Sequence, residues 1–176
     1  MGEVRMGVPG SAEQVFAVLA DGWSYGHWVV GSTHMRDVDQ DWPRIGSRIH
    51  HSVGAWPLMA QQATRVVAVD PPHSLELEAE LWPVGVAWIR LEMTPIDADT
   101  TEVSMSEEMI RGPGRLIPGM VQAMALKPRN KQSLARLCDL VASHYVDTRK
   151  LGTRPPDPRP PDTREPGTLE PDRPER

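Results

Sequence analysis

The sharpest periodicity in the chain lies near its carboxyl end, in GMVQAMALKPRNKQSLARLCDLVASHY over residues 119–145. Leu134, Leu137, Cys138, Val141, Ala142 and Tyr145 recur at spacings of three and four, with Arg136, Asp139 and Ser143 between them. At 3.6 residues per turn this gathers the apolar side chains into one stripe, so the spacing predicts a long amphipathic helix. Met120, Val121, Met124 and Ala125 continue an apolar surface toward its start. Pro128 interrupts the ladder because it has no N–H, and a bend is expected around residues 124–128.

Upstream the period changes to two. Leu75, Leu77, Ala79 and Leu81 alternate with Glu76, Glu78 and Glu80, and Ala87, Ile89, Leu91 and Met93 alternate with Trp88, Arg90 and Glu92. Val103, Met105, Glu107 and Met109 share one face of a further stretch, opposite Glu102, Ser104, Ser106 and Glu108. The alternation predicts strands at 3–8, 34–38, 47–53, 58–69, 74–81, 83–93 and 101–110. After the first strand, Pro9-Gly10 breaks the ladder and Ser11 with Gln14 forms a capping box, predicting a helix over 12–19. WSYGHW at 23–28 reads as a helical turn packing its rings inward. Successive strands joined by short turns favour an antiparallel sheet, and the terminal stripe needs that sheet to cover it. The expected class is α+β, with six to seven strands around one long helix and two short helices after the first strand.

Composition changes the picture only at the end. Residues 148–176 hold eight prolines, seven basic and six acidic residues, with Leu151 and Leu169 the only large aliphatics, which predicts a disordered tail after a domain at 1–147. Its Pro-Pro and Pro-x-Pro units suit either a solubilising tail or a segment that docks on an aromatic groove. The domain carries 12 Lys/Arg against 18 Asp/Glu without a long basic block, which argues against nucleic acid as a partner. One cysteine, Cys138, excludes an intramolecular disulfide and falls on the apolar stripe, where a buried thiol is expected. With no apolar signal core and no run of 18 apolar residues, a cytoplasmic protein without an integral membrane segment is expected.

Several segments together resemble one family. PGSAEQVFAVLAD after the first strand, WSYGHWVVGSTHM, IGSRIHHSVGAWPL, VVAVDPPHSLELEAEL, TEVSMSEEM and the terminal helix are similar to the START-like (SRPBCC) superfamily, in its polyketide cyclase/dehydrase-like and lipid-transport-like branch. The resemblance covers roughly residues 1 to 145 and rests on turn and packing signatures without a catalytic string. It implies a helix-grip (START/Bet v 1-like) fold with an apolar cavity between sheet and long helix for a lipid-like or polycyclic molecule. The family includes aromatase/cyclases and carriers, so membership alone does not imply an enzyme.

Candidate site residues follow from the faces. Leu77, Ala79, Ile89, Leu91, Met105 and Met109 point inward, and Met120 with Met124 is expected to form a cavity wall or gate on the helix. Glu107 shares that inner face; it either anchors a ligand or moves protons, or reaches water at the cavity mouth. His51 lies beside Ile49 and Val53 and is either a proton-exchanging group or a satisfied structural histidine. Trp23, Tyr25, His27 and Trp28 offer ring contacts and polar tips, or simply pack a small helix. His50 and His51 point to opposite faces and make a poor chelating pair, and no nucleophile, zinc or phosphate-loop motif is present, so neither metal nor cofactor is expected. The expected function is binding or transport of a small hydrophobic ligand by a monomer or homodimer. The alternatives are a cyclase or dehydratase using His51, Glu107 or Tyr25, and an interaction module acting through the tail.

Overall fold

Alternation becomes sheet wherever the period is two. The computed structural model of the chain describes residues 3–53 and 60–152. It contains β1 (Val4–Pro9), α1 (Ala12–Ala20), a 3-10 turn (Gly22–Ser24), α2 (Tyr25–Trp28), β2 (Ser32–Val38), β3 (Arg48–Val53) and β4 (Ala60–Asp70). There follow β5 (Ser74–Leu81), β6 (Gly85–Asp97), β7 (Thr100–Arg111), a second 3-10 turn (Pro113–Leu116) and α3 (Gly119–Gly152). The strands form one antiparallel sheet in the order β1-β7-β6-β5-β4-β3-β2. This is the helix-grip arrangement expected from the sequence.

β1 and β2 lie at opposite edges, so the segment between them must span the sheet. α1 begins with the expected capping box: Ser11 Oγ accepts from the Gln14 N–H at 3.4 Å, and Gln14 Oε1 accepts from the Ser11 N–H at 2.9 Å. α1 and α2 both pack against α3, which places all three helices on one side of the sheet. There Leu134, Leu137 and Val141 are buried with Leu75, Leu77, Leu91, Val103 and Met105. Each large aliphatic buried in this way contributes about 1.5–3 kcal/mol.

The outer face of β5 is paired. Glu78 accepts from Arg65 at 2.9 Å and Arg111 at 2.5 Å, and Glu76 accepts from Trp88 Nε1 at 3.2 Å. Such half-exposed cross-strand pairs fix register more than they add stability.

β6 and α3 depart from the expected ranges. β6 begins at Gly85 because Trp82–Val84 forms the turn. α3 runs uninterrupted through Pro128. Pro128 is exposed, so the Met124 carbonyl that loses its donor sits on the water side of the helix, where the loss is tolerated. α3 also continues to Gly152, into the segment read as tail; residues 153–176 lie outside the described residues, as do Leu58 and the side chain of Tyr145. Cys138 is half-buried at the edge of the stripe, less enclosed than its spacing suggested, and burial pushes its thiol up.

Candidate functional site

Three strands present polar side chains to the helices. His51 on β3, Gln62 and Thr64 on β4 and Glu107 on β7 are all buried on the face occupied by Ile49, Val66 and Met105. His51 and Gln62 are register partners. The Thr64 hydroxyl lies 3.0 Å from His51 Nε2 and 3.1 Å from the Tyr25 hydroxyl, joining β3, β4 and α2. Tyr25 packs edge-on against Trp28 with centroids 5.4 Å apart and lies 5.5 Å from the His51 ring.

Burial pushes the Tyr25 hydroxyl up to about 12, and Arg129 and Glu107 act on it in opposite directions. Burial also drives His51 down to about 4, reinforced by Arg36 and His50. Both groups are therefore neutral near pH 7. An unfolded His51, near 6.5, binds more protons than the folded one as pH falls from 6.5 toward 4. The stability that neutral His51 represents is complete above that window and lost within it, by about 3 kcal/mol at 1.4 kcal/mol per unit. His51→Gln is expected to flatten the fall of Tm across this window relative to the parent; parallel curves would show that His51 does not govern it.

The second polar group spans sheet and helix. Arg129 Nη2 on α3 donates to both Glu107 carboxylate oxygens at 2.5 Å, and the Glu107 side chain has no exposure. Asn130 is also fully buried, at the next stripe position above Leu134, Leu137 and Val141. Among the described residues neither of its amide atoms has a hydrogen-bond partner. Ser133 Oγ accepts from the Val30 N–H at 3.1 Å and ties the end of α2 to α3.

Open space lies beside this core. An apolar cavity of about 320 Å³ sits between the β5–β6 turn and the amino-terminal half of α3, walled by Leu81, Trp82, Val84, Met109, Ile117 and Leu126, with Ala125, Gln62 and Gln122. Both glutamines are committed to backbone. Gln122 Nε2 donates to the Gly114 and Ile117 carbonyls at 3.1 and 2.8 Å. Gln62, in the amide orientation that satisfies its neighbours, donates to the Glu80 carbonyl at 2.7 Å and accepts from the Trp82 N–H at 3.0 Å. A more polar recess of about 220 Å³ lies alongside, with Glu107, Glu108, Met109 and Arg115 in its wall.

The structure divides the expected site residues. Met109 lines the apolar cavity, and Glu107 with Met109 lines the polar recess. Leu77, Ala79, Ile89, Leu91 and Met105 are buried in the packed core and do not wall the apolar cavity; Tyr25, Trp28 and His51 are likewise interior but outside its wall. Trp23 is 54% exposed and His27 is exposed, so both face outward, away from any interior wall. Met120 and Met124, expected in the cavity wall, are 80% and 73% exposed. The helix is the reason: Met124 and Leu126 are two residues apart, about 200° around the axis, so only one faces the sheet.

The spacing left several contributors unmarked. Arg129 had no sequence feature tying it to Glu107, and Thr64 none tying it to His51. Asn130 did carry a signal, a polar residue in register with an apolar stripe. Trp82 and Ile117 sit in breaks between elements, where periodicity is silent. No group of three His, Cys, Asp or Glu side chains converges among the described residues.

The seven-stranded antiparallel sheet with one long helix packed on it, and an apolar recess between the β5–β6 turn and α3, defines the helix-grip class. The chain belongs to the polyketide cyclase/dehydrase and lipid transport family, whose model matches residues 2–142. Among solved structures it is similar to a Rhodobacter sphaeroides protein at 21% identity and TM-score 0.62, covering 80% of this chain and 91% of that one. A conserved Geobacillus kaustophilus protein follows at 16% identity and TM-score 0.60, covering 80% and 94%. The di-domain ARO/CYC BexL from the BE-7585A biosynthetic pathway is similar at 19% identity and TM-score 0.60; the match covers 78% of this chain and 44% of that protein. Among curated proteins, none matches the chain. At these identities the neighbours establish the fold.

Proposed function

We propose that the protein binds a small, mainly apolar molecule in the cavity between the β5–β6 turn and α3. The observation that carries this reading is the cavity wall: its large side chains are aliphatic or aromatic and its two glutamines are already satisfied by backbone. Such a wall selects for apolar surface, and its volume is at the small end of ligand sites. The family's description, which names both cyclisation and lipid transport, is compatible with a ligand of this kind.

Binding is preferred to catalysis because the interior acid and base are poorly matched to proton transfer. A hydroxyl near 12 and an imidazole near 4 are both far from neutral pH, and Glu107 is engaged by Arg129. The test uses an environment-sensitive naphthalene dye and native mass spectrometry with lipid extracts. The parent is expected to bind one equivalent. Ala125→Trp, at an exposed position of the wall, is expected to weaken binding at least roughly tenfold while leaving Tm unchanged. Equal affinity in parent and variant would place the ligand elsewhere.

A further inference from the structure

Apolar side chains at the β5–β6 turn, the second 3-10 turn and the start of α3 are left uncovered by the described residues. Trp82 at the tip of the β5–β6 turn is 75% exposed and Leu116 86%, and Val84, Ile117 and Val121 join Met120 and Met124 in the exposed set. The parts are held together. The Gly114 N–H donates to the Val84 carbonyl at 2.8 Å, and Gln122 bonds the Gly114 and Ile117 carbonyls, so the turn, the 3-10 segment and the start of α3 form one lip. An exposed apolar cluster of this kind marks an interaction surface.

Charge identifies the partner. Residues 109–138 contain no acidic residue, within a chain of net charge −5; of their six basic side chains Arg111 and Arg129 pair with Glu78 and Glu107, and Arg115, Lys127, Lys131 and Arg136 supply the remaining positive charge. Along α3, Met120, Met124, Lys127 and Lys131 are exposed at spacings of four, three and four, which sets them on one outward face. That face is apolar at the tip of the helix and basic one to two turns back. An apolar end entering acyl chains, with lysines at the depth of phosphates, is the pattern of a helix that rests in a bilayer interface. Tryptophan at the neighbouring turn tip suits the same depth, because its ring is apolar and its N–H needs a polar partner. Among the described residues no helix is long and apolar enough to cross a membrane, so the mode is peripheral.

We infer that the lip formed by Trp82, Leu116, Met120 and Met124, backed by Lys127 and Lys131, docks on an anionic lipid bilayer. This goes beyond the binding reading, since it requires only the outer surface. A nucleic-acid backbone would meet the lysines but leave the tryptophan, leucine and methionines in water. A second copy of the chain would cover the apolar lip but set the two basic faces against each other.

The test is flotation of the full chain on phosphatidylcholine vesicles with and without phosphatidylserine. Binding is expected with phosphatidylserine and is expected to weaken steeply as salt is raised. Met120→Asp/Met124→Asp, at exposed positions where folding is not at stake, is expected to abolish flotation. Lys127→Glu/Lys131→Glu is expected to weaken binding at least roughly tenfold on the anionic vesicles only, about fivefold for each basic group lost near the surface. Absence of flotation, or flotation that survives the methionine replacements, would overturn the assignment. So would a dimer abolished by those replacements without vesicle binding, or DNA binding in place of vesicle binding.

Discussion

Arg129→Leu is expected to cost about 3–5 kcal/mol of folding stability, the largest loss from any single contact between sheet and helix, because it strands a buried carboxylate. The Glu107 side chain has no exposure, and among the described residues it is the Arg129 guanidinium that donates to both of its oxygens. The pair is asymmetric, since Arg129 keeps 29% of its side chain exposed. Glu107→Leu should therefore cost less, about 1–2 kcal/mol, because the freed guanidinium can turn toward water while the leucine joins the apolar face. The double replacement should recover most of the loss, as buried pairs replaced by apolar residues of similar size often do. Urea titrations of the parent, both single variants and the double variant give the coupling directly. Equal losses in the two single variants would show that Arg129 is as enclosed as its partner. Additive losses would show that the two groups do not act as a pair.

Glu107 also shows how far the sequence reaches. Period two placed it on the inner face between Met105 and Met109, which requires no knowledge of the partner. Its partner lies 22 residues away on a helix, one position before Asn130 in the apolar stripe, and the spacing of charges along α3 marks no such contact. The same limit separates His51 from Thr64. The alternation of β3 directs His51 inward, but the hydroxyl that binds it comes from β4, through a register that pairs His51 with Gln62 and Ile49 with Thr64. Helix direction was harder still. Met120, Val121, Met124 and Ala125 looked like a continuation of the stripe, yet the facing side belongs to Gln122, Ala125 and Leu126, with Asn130 below them. A polar residue in the stripe shifted the apparent phase by about half a turn. Fold was legible because it depends on many alternating positions at once, whereas the site depends on a few side chains from non-adjacent elements.

Gly112→Ala is the second change expected to act strongly, and it links the fold directly to the cavity lip. Gly112 has φ +87° and ψ −175°, a region that essentially only glycine occupies. A Cβ there would lie 2.5 Å from the Gly85 Cα and 2.8 Å from the Val84 carbonyl oxygen. Gly85 answers in kind, with φ +134° and a Cβ position that collides with the Arg111 carbonyl. The two glycines thus let the β5–β6 turn and the end of β7 meet backbone to backbone. Strain alone costs on the order of 1–3 kcal/mol, and the clash is with main chain that has no side-chain rotamer to yield. The lip must therefore separate, breaking the Gly114 bond to Val84 and displacing Val84 and Ile117 from the cavity wall. Gly112→Ala is expected to lose at least about 3 kcal/mol and to weaken dye binding in the variant that still folds. Gly119→Ala is the control, because a Cβ there meets no atom within 4 Å. It should leave both stability and binding within error of the parent. If the two alanine variants behaved alike, the close approach of Gly85 and Gly112 would not be what holds the cavity mouth in shape.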